Sequence, residues 1–519
     1  MKGSVLAGLL MAAMLPTARS ALAADRPGTA PRANVVQQLS AVIDRRIAAR
    51  LAAEQVEPAA RADDAEFFRR AWLHLGGTIP PVSEVRRFLA DASPNKRERA
   101  VDELLSRPSY VRQFATFWRR AWLPEADTDV MAQVRAPALE TWLRQQLLDD
   151  RRYDDLVRQV LAAPIPRASA PQSTDGPLAF FLAHDAKPES LAASVSRAFL
   201  GVRLDCAQCH DHPFDRWKRD QFWSFAAFFA GLEPNSTGQS GLLKEFPDRH
   251  DLPIPDTERI VSAAFLDGTE PRWKSRGGRQ VLADWIASPK NPYFARAAVN
   301  RLWGHLFGIG LADPVDDFSP ANPPSHPELL DDLADAFVDQ GYDVKFLLRA
   351  IVGSQTYQRT SRQPSGEAPP SLFASMPVQG FSAEQAARSL ALIVGTEAVN
   401  QQPVAGVADE LSSLLSRPGE SPTQRQTTIL QALALMNGRT TAAAINVQNG
   451  SLIAAIVDFP AMSPRDRIES LYLGTLSRPP REHELARLEA YVSGAADPAA
   501  AYGDVLWALL NCAEFGCNH

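Results

Sequence analysis

Apolar residues recur along nearly the whole chain at the spacing of one helix face, and no run alternates in the two-residue rhythm of a strand. A mainly α-helical protein is therefore expected. At 519 residues the chain is longer than a single core supports, so it should form more than one domain. Its 40 prolines gather between the periodic segments, which predicts helices joined by Pro-rich loops. Val35–Val56 is amphipathic. Asp63 and Asp64 are placed to cap a helix that carries Phe67, Phe68, Trp72 and Leu73 and stops at Gly76-Gly77. A later helix from about Glu189 puts Leu191, Val195, Phe199 and Val202 on one face. Glu233 to Arg276, rich in Gly, Pro, Ser and charge, reads as a linker or irregular excursion. Beyond it, Asn291-Pro292 is a helix start, and Ser325–Glu328 and Ser382–Gln385 are capping boxes. Further helices are expected at about 343–357, 424–437, 464–476, 481–493 and 499–515. The expected organisation is two helical domains, 34–232 and 277–519, joined by a Pro/Gly-rich irregular segment at 233–276.

Residues 1–23 read as a secretory signal peptide. Lys2 is the positive start, Val5 to Leu15 the apolar run, and Ala21-Leu22-Ala23 the small-residue cleavage site. That run is shorter than the roughly 20 residues needed to span a bilayer, and no later segment is apolar enough to span. The mature chain is expected to be exported, to the periplasm, the cell surface or the medium. A net charge of −6 argues against a nucleic-acid partner.

In that compartment Cys206-Ala207-Gln208-Cys209-His210 carries a specific chemical reading. Two thiols three residues apart reach the two vinyl groups of one haem, and the next imidazole reaches the iron. One covalent haem c on Cys206 and Cys209, with His210 as proximal ligand, is the first expectation. Spacing does not identify the opposite ligand; His184, Met131, His305 and His326 are candidates, and an open position is another. Zinc is an alternative, with Cys206, Cys209, His210 and His212 as four N/S donors. So is a plain Cys206–Cys209 disulfide with structural histidines. The following stripe, Phe222, Trp223, Phe225, Phe228 and Phe229, is either a haem-pocket wall or simple core. Asp211, Asp215 and Arg216 either contact propionates, cap the motif or face solvent.

Several longer segments carry a resemblance. Phe67-Phe68-Arg69-Arg70-Ala71-Trp72 with Gly77-Thr78-Ile79-Pro80, and Phe199-Leu200-Gly201-Val202-Arg203-Leu204 running into Cys206–Phe214, resemble the planctomycete cytochrome-like domain. Asn291–Arg296, Asn300–His305, Pro314–Phe318, Asn322–Leu330 and the stretch from Leu510 to His519 resemble its habitual partner, the planctomycete-type secreted domain. Both families are of unknown function, so the resemblance implies an architecture rather than an activity.

The second half offers a further polar group. Arg296, Asn300, Arg301 and His305 fall on one predicted helix, and Asp313, Asp316 and Asp317 on the loop after it. Arg296, Asn300, His305, Asp316 and Asp317 form a possible second site, for calcium or a substrate. The alternative is an Arg–Asp hydrogen-bond network that pins the loop. No Ser-His-Asp order, phosphate loop or H-E-x-x-H appears, so no catalytic class is assigned. Cys512 and Cys517 are expected to pair if the last helix ends near Gly516; the alternatives are two buried thiols or bridges to other molecules. The functional expectation is an exported c-type-haem-like protein in electron transfer or redox support of a partner protein. The alternative is a secreted structural or binding protein of the envelope or of a polysaccharide-associated system, its Cys/His site purely structural.

Overall fold

The structure, a computed structural model, describes residues 30–165, 176–234, 243–274, 276–362, 368–395, 436, 438–447 and 451–519. The signal segment, and all but Met436 of the helix expected at 424–437, lie outside them. The fold is mainly α, as the periodicity predicts. Helices α1 (Ala30–Ala53), α2 (Asp64–Ala71), α3 (Val82–Ala90), α4 (Lys96–Ser106), α5 (Pro108–Trp122), α6 (Val130–Leu148), α7 (Tyr153–Leu161), α8 (Leu178–Ala183), α9 (Pro188–Val195) and α10 (Arg219–Ala226) make up the first half. The second half has α11 (Gly278–Ile286), α12 (Phe294–Phe307), α13 (Pro327–Asp339), α14 (Val344–Gly353) and α15 (Ala383–Val394). It ends with helices at Arg439–Ile445, Ser451–Val457, Pro464–Thr475, Glu482–Gly494 and Pro498–Leu510. No described helix is long and apolar enough to cross a membrane.

The helix ends follow local chemistry. Asp63 accepts a hydrogen bond from the Glu66 amide at 2.8 Å and so caps α2. Ser382 and Gln385 form the full reciprocal box at the start of α15. Asn291 caps α12 by accepting from the Phe294 amide at 3.0 Å, so the helix begins two residues after Pro292. The box expected at Ser325 does not form. The Ser325 hydroxyl donates instead to the Leu311 carbonyl (3.0 Å), tying α13 to the preceding loop, and α13 starts from Pro327 without a side-chain cap.

Two helices share an unusual ending. Both α2 and α9 widen into a π turn, Trp72–Gly76 and Ser196–Leu200, and both stop at a left-handed glycine, Gly77 (φ 71°) and Gly201 (φ 66°). Neither glycine has room for a side chain. A Cβ on Gly77 would lie 2.1 Å from the Gln113 Oε1, and one on Gly201 would lie 2.6 Å from the Phe318 ring.

The segment 233–276 is more ordered than its composition suggests. Strand β1 (Leu232–Pro234) pairs antiparallel with β2 (Leu243–Glu245), and β3 (Asp251–Pro253) with β4 (Ile260–Ser262). Leu232, Leu243, Ile254 and Leu266 are buried there, so the excursion packs on the helices instead of hanging between them. A third antiparallel pair joins β5 (Gln379–Gly380) to β6 (Cys517–Asn518) near the end of the chain.

One buried cluster draws on both sides of that excursion. It combines Ile43 and Ile47 of α1, Phe114, Trp118 and Trp122 of α5, Leu302, Trp303 and Phe307 of α12, and Leu347 and Ile351 of α14. A second cluster, built on α15 and the last helices, takes in Leu73 and Ile79 from the first half. Each buried indole contributes on the order of 4 kcal/mol of gross apolar burial, before conformational costs.

Candidate functional site

Gly201 turns the chain out of α9 and into the cysteine motif. Leu204 and Ala207 are fully buried and anchor a 3-10 turn at Asp205–Gln208. Buried Trp217 closes the far side, where its carbonyl accepts from the His212 amide at 2.8 Å. The Trp223 indole N–H donates to the Gln208 carbonyl at 3.0 Å. On this frame Cys206 and Cys209 are both exposed, and both are free thiols. His210 is exposed as well, its Nδ1 lying 2.7 Å from the Asp211 carbonyl. A carbonyl only accepts, so Nδ1 carries a proton, and in the neutral ring Nε2 holds the lone pair.

The neighbours sort themselves clearly. Asp211 accepts from Lys218 Nζ (3.0 Å) and from the Arg219 amide (3.1 Å), and these bonds, the backbone one first, hold its carboxyl below the usual range. It therefore braces the turn. Asp215 accepts from the Arg216 amide, and Arg216 reaches the Tyr293 hydroxyl at 2.8 Å while lying over Trp217. His212 Nδ1 accepts from the Phe214 amide at 3.2 Å. Phe222, Trp223, Phe225, Phe228 and Phe229 are buried in the core; Phe214, 80% exposed, is an aromatic ring open to solvent beside the motif. Among the described residues, no three His, Cys, Asp or Glu side chains converge as a metal cage, so the four donors of the zinc reading are not gathered.

Three candidates for the opposite iron ligand are engaged inside the protein. His184 has Nδ1 2.7 Å from the Phe180 carbonyl and Nε2 2.5 Å from the Ser194 hydroxyl. His305 donates from Nε2 to the His74 carbonyl at 2.9 Å. His326 is buried against Phe373, and burial lowers its pKa to about 4. Met131 stands half exposed on α6.

The possible second site is partly dispersed. Arg296 turns away to Asp331 of α13 at 2.8 Å. Asn300, wholly buried, spends its amide on the loop, donating to the Ala312 and Val315 carbonyls (2.7 and 3.2 Å) and accepting from the Ala312 amide (3.0 Å). Asp316 pairs with Arg203 at 2.6 Å, and the Asp317 carbonyl accepts from Asn322. Arg301 donates to the Arg197 carbonyl at 2.6 Å. The loop is thus pinned chiefly by Asn300 and by Arg203, which lies three residues before Cys206. The Arg–Asp bond that pins it comes from Arg203, not from Arg296 or Arg301. Of the five residues, His305 and Asp316 do share a cavity.

That cavity, about 640 Å³, opens between α5, α12, the 313–316 loop and the start of α15. His74, Gln113, Arg120, Gln379 and Glu384 line it, and no motif or spacing in the sequence marks any of them. At its floor His74 sits between the Tyr357 hydroxyl (2.9 Å from Nδ1) and the Asn518 amide (2.7 Å from Nε2). Burial first, then the neighbouring His305 and Arg70, holds His74 well below the usual histidine range, and burial lowers His305 as well. Both rings are neutral near pH 7. Only the fold joins these residues: His74 meets its partners across 283 and 444 positions of sequence.

The helix that carries His74 is held by two buried arginines. Arg69 donates to the carbonyls of Thr475 and Phe515 (both 2.8 Å) and Cys517 (3.3 Å). Arg70 donates to those of Tyr357 (2.7 Å) and Arg359 (2.9 Å) and pairs with Glu66 at 2.6 Å. The expected Cys512–Cys517 bridge is absent. The last helix ends at Leu510, the Cys512 thiol donates to the Leu509 carbonyl, and Cys517 is held in β6.

Residues 42–234 match the family model PSCyt2, Protein of unknown function (DUF1549), and residues 278–413 match PSD1, Protein of unknown function (DUF1553). The two follow one another in the order that the motif resemblance implies. No curated protein and no solved structure matches the chain.

Proposed function

We propose, for a chain that carries a PSCyt2 domain followed by a PSD1 domain, a role as an exported c-type haem protein in electron transfer or redox support of a partner protein. The observation that carries this reading is the state of three donors on one braced turn. Cys206 and Cys209 present unpaired, exposed thiols, and His210 has Nδ1 committed to the Asp211 carbonyl, which leaves Nε2 as the free ligand atom. A histidine ligand is ordinarily oriented by such a bond from its other nitrogen. The donor set therefore fits a haem: Cys206 and Cys209 would hold it, each S–H adding across one vinyl group with no atom lost, and His210 would ligate the iron. A haem bound there supplies one-electron redox chemistry.

The chain's own contribution is positional. Ala207, Leu204 and Trp217 are buried and fix the turn, while Asp211 and Lys218 tie its exit. Because the tether points lie at the surface and the aromatic stripe lies in the core, the motif is open to a second protein. Export, and with it access to haem attachment, rests on the signal-like residues 1–23.

The test is intact mass and absorption of the mature protein from a cell competent to attach haem. A Soret band, a pyridine haemochrome and the mass of one haem added to the polypeptide are expected, with Cys206→Ser abolishing the two-thioether product. A colourless protein at its bare polypeptide mass rejects the proposal. A mass lower by hydrogens lost in pairs would identify disulfides instead.

A further inference from the structure

We propose that the cavity between α5, α12 and the start of α15 binds a small hydroxylated monocarboxylate, anchored on the Arg301 guanidinium and independent of anything bound at the cysteine motif. Its volume, about 640 Å³, lies within the roughly 300–1,000 Å³ of small-molecule sites. Most polar groups of its wall already have partners in the protein. Ser382 and Gln385 bond each other, and Gln385 and Gln379 donate to the carbonyls of Leu73 and Leu306, both at 3.0 Å. Gln113 Oε1 and Thr116 Oγ1 accept from Arg388 at 2.8 and 3.2 Å. Arg120 pairs with Glu384 at 2.6 Å; each keeps one buried atom unbonded, Nε and Oε2, a donor and an acceptor that balance. Asp316 pairs with Arg203 at 2.6 Å, and Asp313 is exposed and accepts from the Gly310 amide at 3.3 Å.

Arg301 is the exception. It lines the cavity, yet is only 7% exposed. Its Nη2 donates to the Arg197 carbonyl at 2.6 Å, its Nε is buried and unbonded, and among the described residues no carboxylate forms an ion pair with it. Burial lowers its pKa, and the carboxylate that most opposes this, Asp316, is already held by Arg203. A guanidinium stays charged, and a buried charge whose acceptor is a neutral carbonyl calls for a counter-ion. A single positive charge is unmatched, so a monoanion fits. A dianionic phosphate or sulfate would leave excess negative charge beside Asp313, Asp316 and Glu384. A carboxylate matches the flat fork of the guanidinium. His305 lies one turn further along the same face of α12. With its Nε2 proton on the His74 carbonyl, it offers Nδ1 as an acceptor for a hydroxyl near the carboxylate. Phe117, Ala121, Pro314 and Val315 line the cavity and suit a short carbon skeleton. The wall joins Gln113–Ala121 of the first family domain to Arg301–Gln385 of the second.

The experiment is calorimetric titration of the mature full-length protein in a zwitterionic buffer at low salt. Lactate and gluconate are the open-chain acids, and glucuronate is the sugar-acid arm. Lactamide and gluconamide are the uncharged counterparts, and inorganic phosphate and sulfate the dianions. At least one hydroxy acid should bind with Kd below about 1 mM, and the amides and dianions at least about tenfold more weakly. Whether the open-chain acids or glucuronate bind more tightly assigns the source of the ligand, and either order supports the proposal. Arg301→Met should weaken binding by about tenfold or more. Ala121→Trp, which fills the cavity from α5 and leaves the guanidinium and its carbonyl in place, should do the same with a thermal midpoint near wild type, so the test holds even where Arg301→Met does not fold. The proposal is overturned if no hydroxy acid binds, if an amide or a dianion binds as tightly, or if the folded variants keep wild-type affinity.

Discussion

The chain uses one backbone device twice, with opposite results. At α2 the helix, π turn and Gly77 hold everything inside: Arg69, Arg70 and His74 are buried, and apart from Glu66 beside Arg70 their partners lie hundreds of residues away. At α9 the same helix, π turn and glycine throw the chain outward, so that Cys206, Cys209 and His210 meet solvent while their supports are near neighbours. The first arrangement trades openness for rigidity. The second keeps its reactive atoms available and its braces few. A helix ending does not decide which outcome follows; what packs on the residues after it does.

Arg69→Met should give the largest effect and break the buried end of this contrast. It leaves the Thr475, Phe515 and Cys517 carbonyls without their donor, a loss of about 3 kcal/mol or more in chemical denaturation. Gly201→Ala attacks the junction between the two regions. A left-handed alanine with its Cβ 2.6 Å from Phe318 should cost about 2 kcal/mol and loosen the Arg203–Asp316 pair, read as a fall in Tm. If Gly201→Ala is neutral, the second glycine is not the constraint described. Asp63→Ala removes the α2 cap and should cost about 1 kcal/mol in the same assay.

The balance was uneven in what the sequence revealed. The helical class, the Asp63 cap, the Ser382–Gln385 box and the Gly76-Gly77 stop were legible, because each depends on residues within a few positions of one another, whereas the helix expected to carry Val202 turns off at Gly201. The motif turn was legible for the same reason. The hairpins of 233–276 were hidden, since three-residue strands are too short to display alternation. The cavity was hidden more deeply. His305 and Asp316 were noticed only as members of a wider group, and nothing local connects them to His74, Gln113 or Glu384. A capping box written at Ser325 failed because a tertiary acceptor, the Leu311 carbonyl, won its hydroxyl.

Acid should sharpen the same contrast more mildly. His74, His305 and His326 are held neutral by burial, with His326 near 4, whereas the unfolded chain protonates them around 6.5. Between those values the unfolded state binds more protons, so stability is full above about pH 7 and falls as pH drops from about 6.5 towards 4. Thermal scans should show that slope, and His326→Gln should reduce it. An unchanged slope would mean that these rings do not govern it. Least affected should be the apo protein with both Cys206→Ser and Cys209→Ser. Two exposed side chains should alter stability by less than about 0.5 kcal/mol, even as haem attachment is lost.

The carbonyls gripped by Arg69 carry a consequence for the order of assembly. They belong to residues 406 to 448 positions further along the chain. During synthesis, or while the polypeptide is threaded through a pore, that guanidinium has no final home until Thr475, Phe515 and Cys517 emerge. Completion of α2's surroundings is therefore a late event, and a nascent chain stopped short of Phe515 should remain open to proteases around its first hundred residues, however well its early helices have formed.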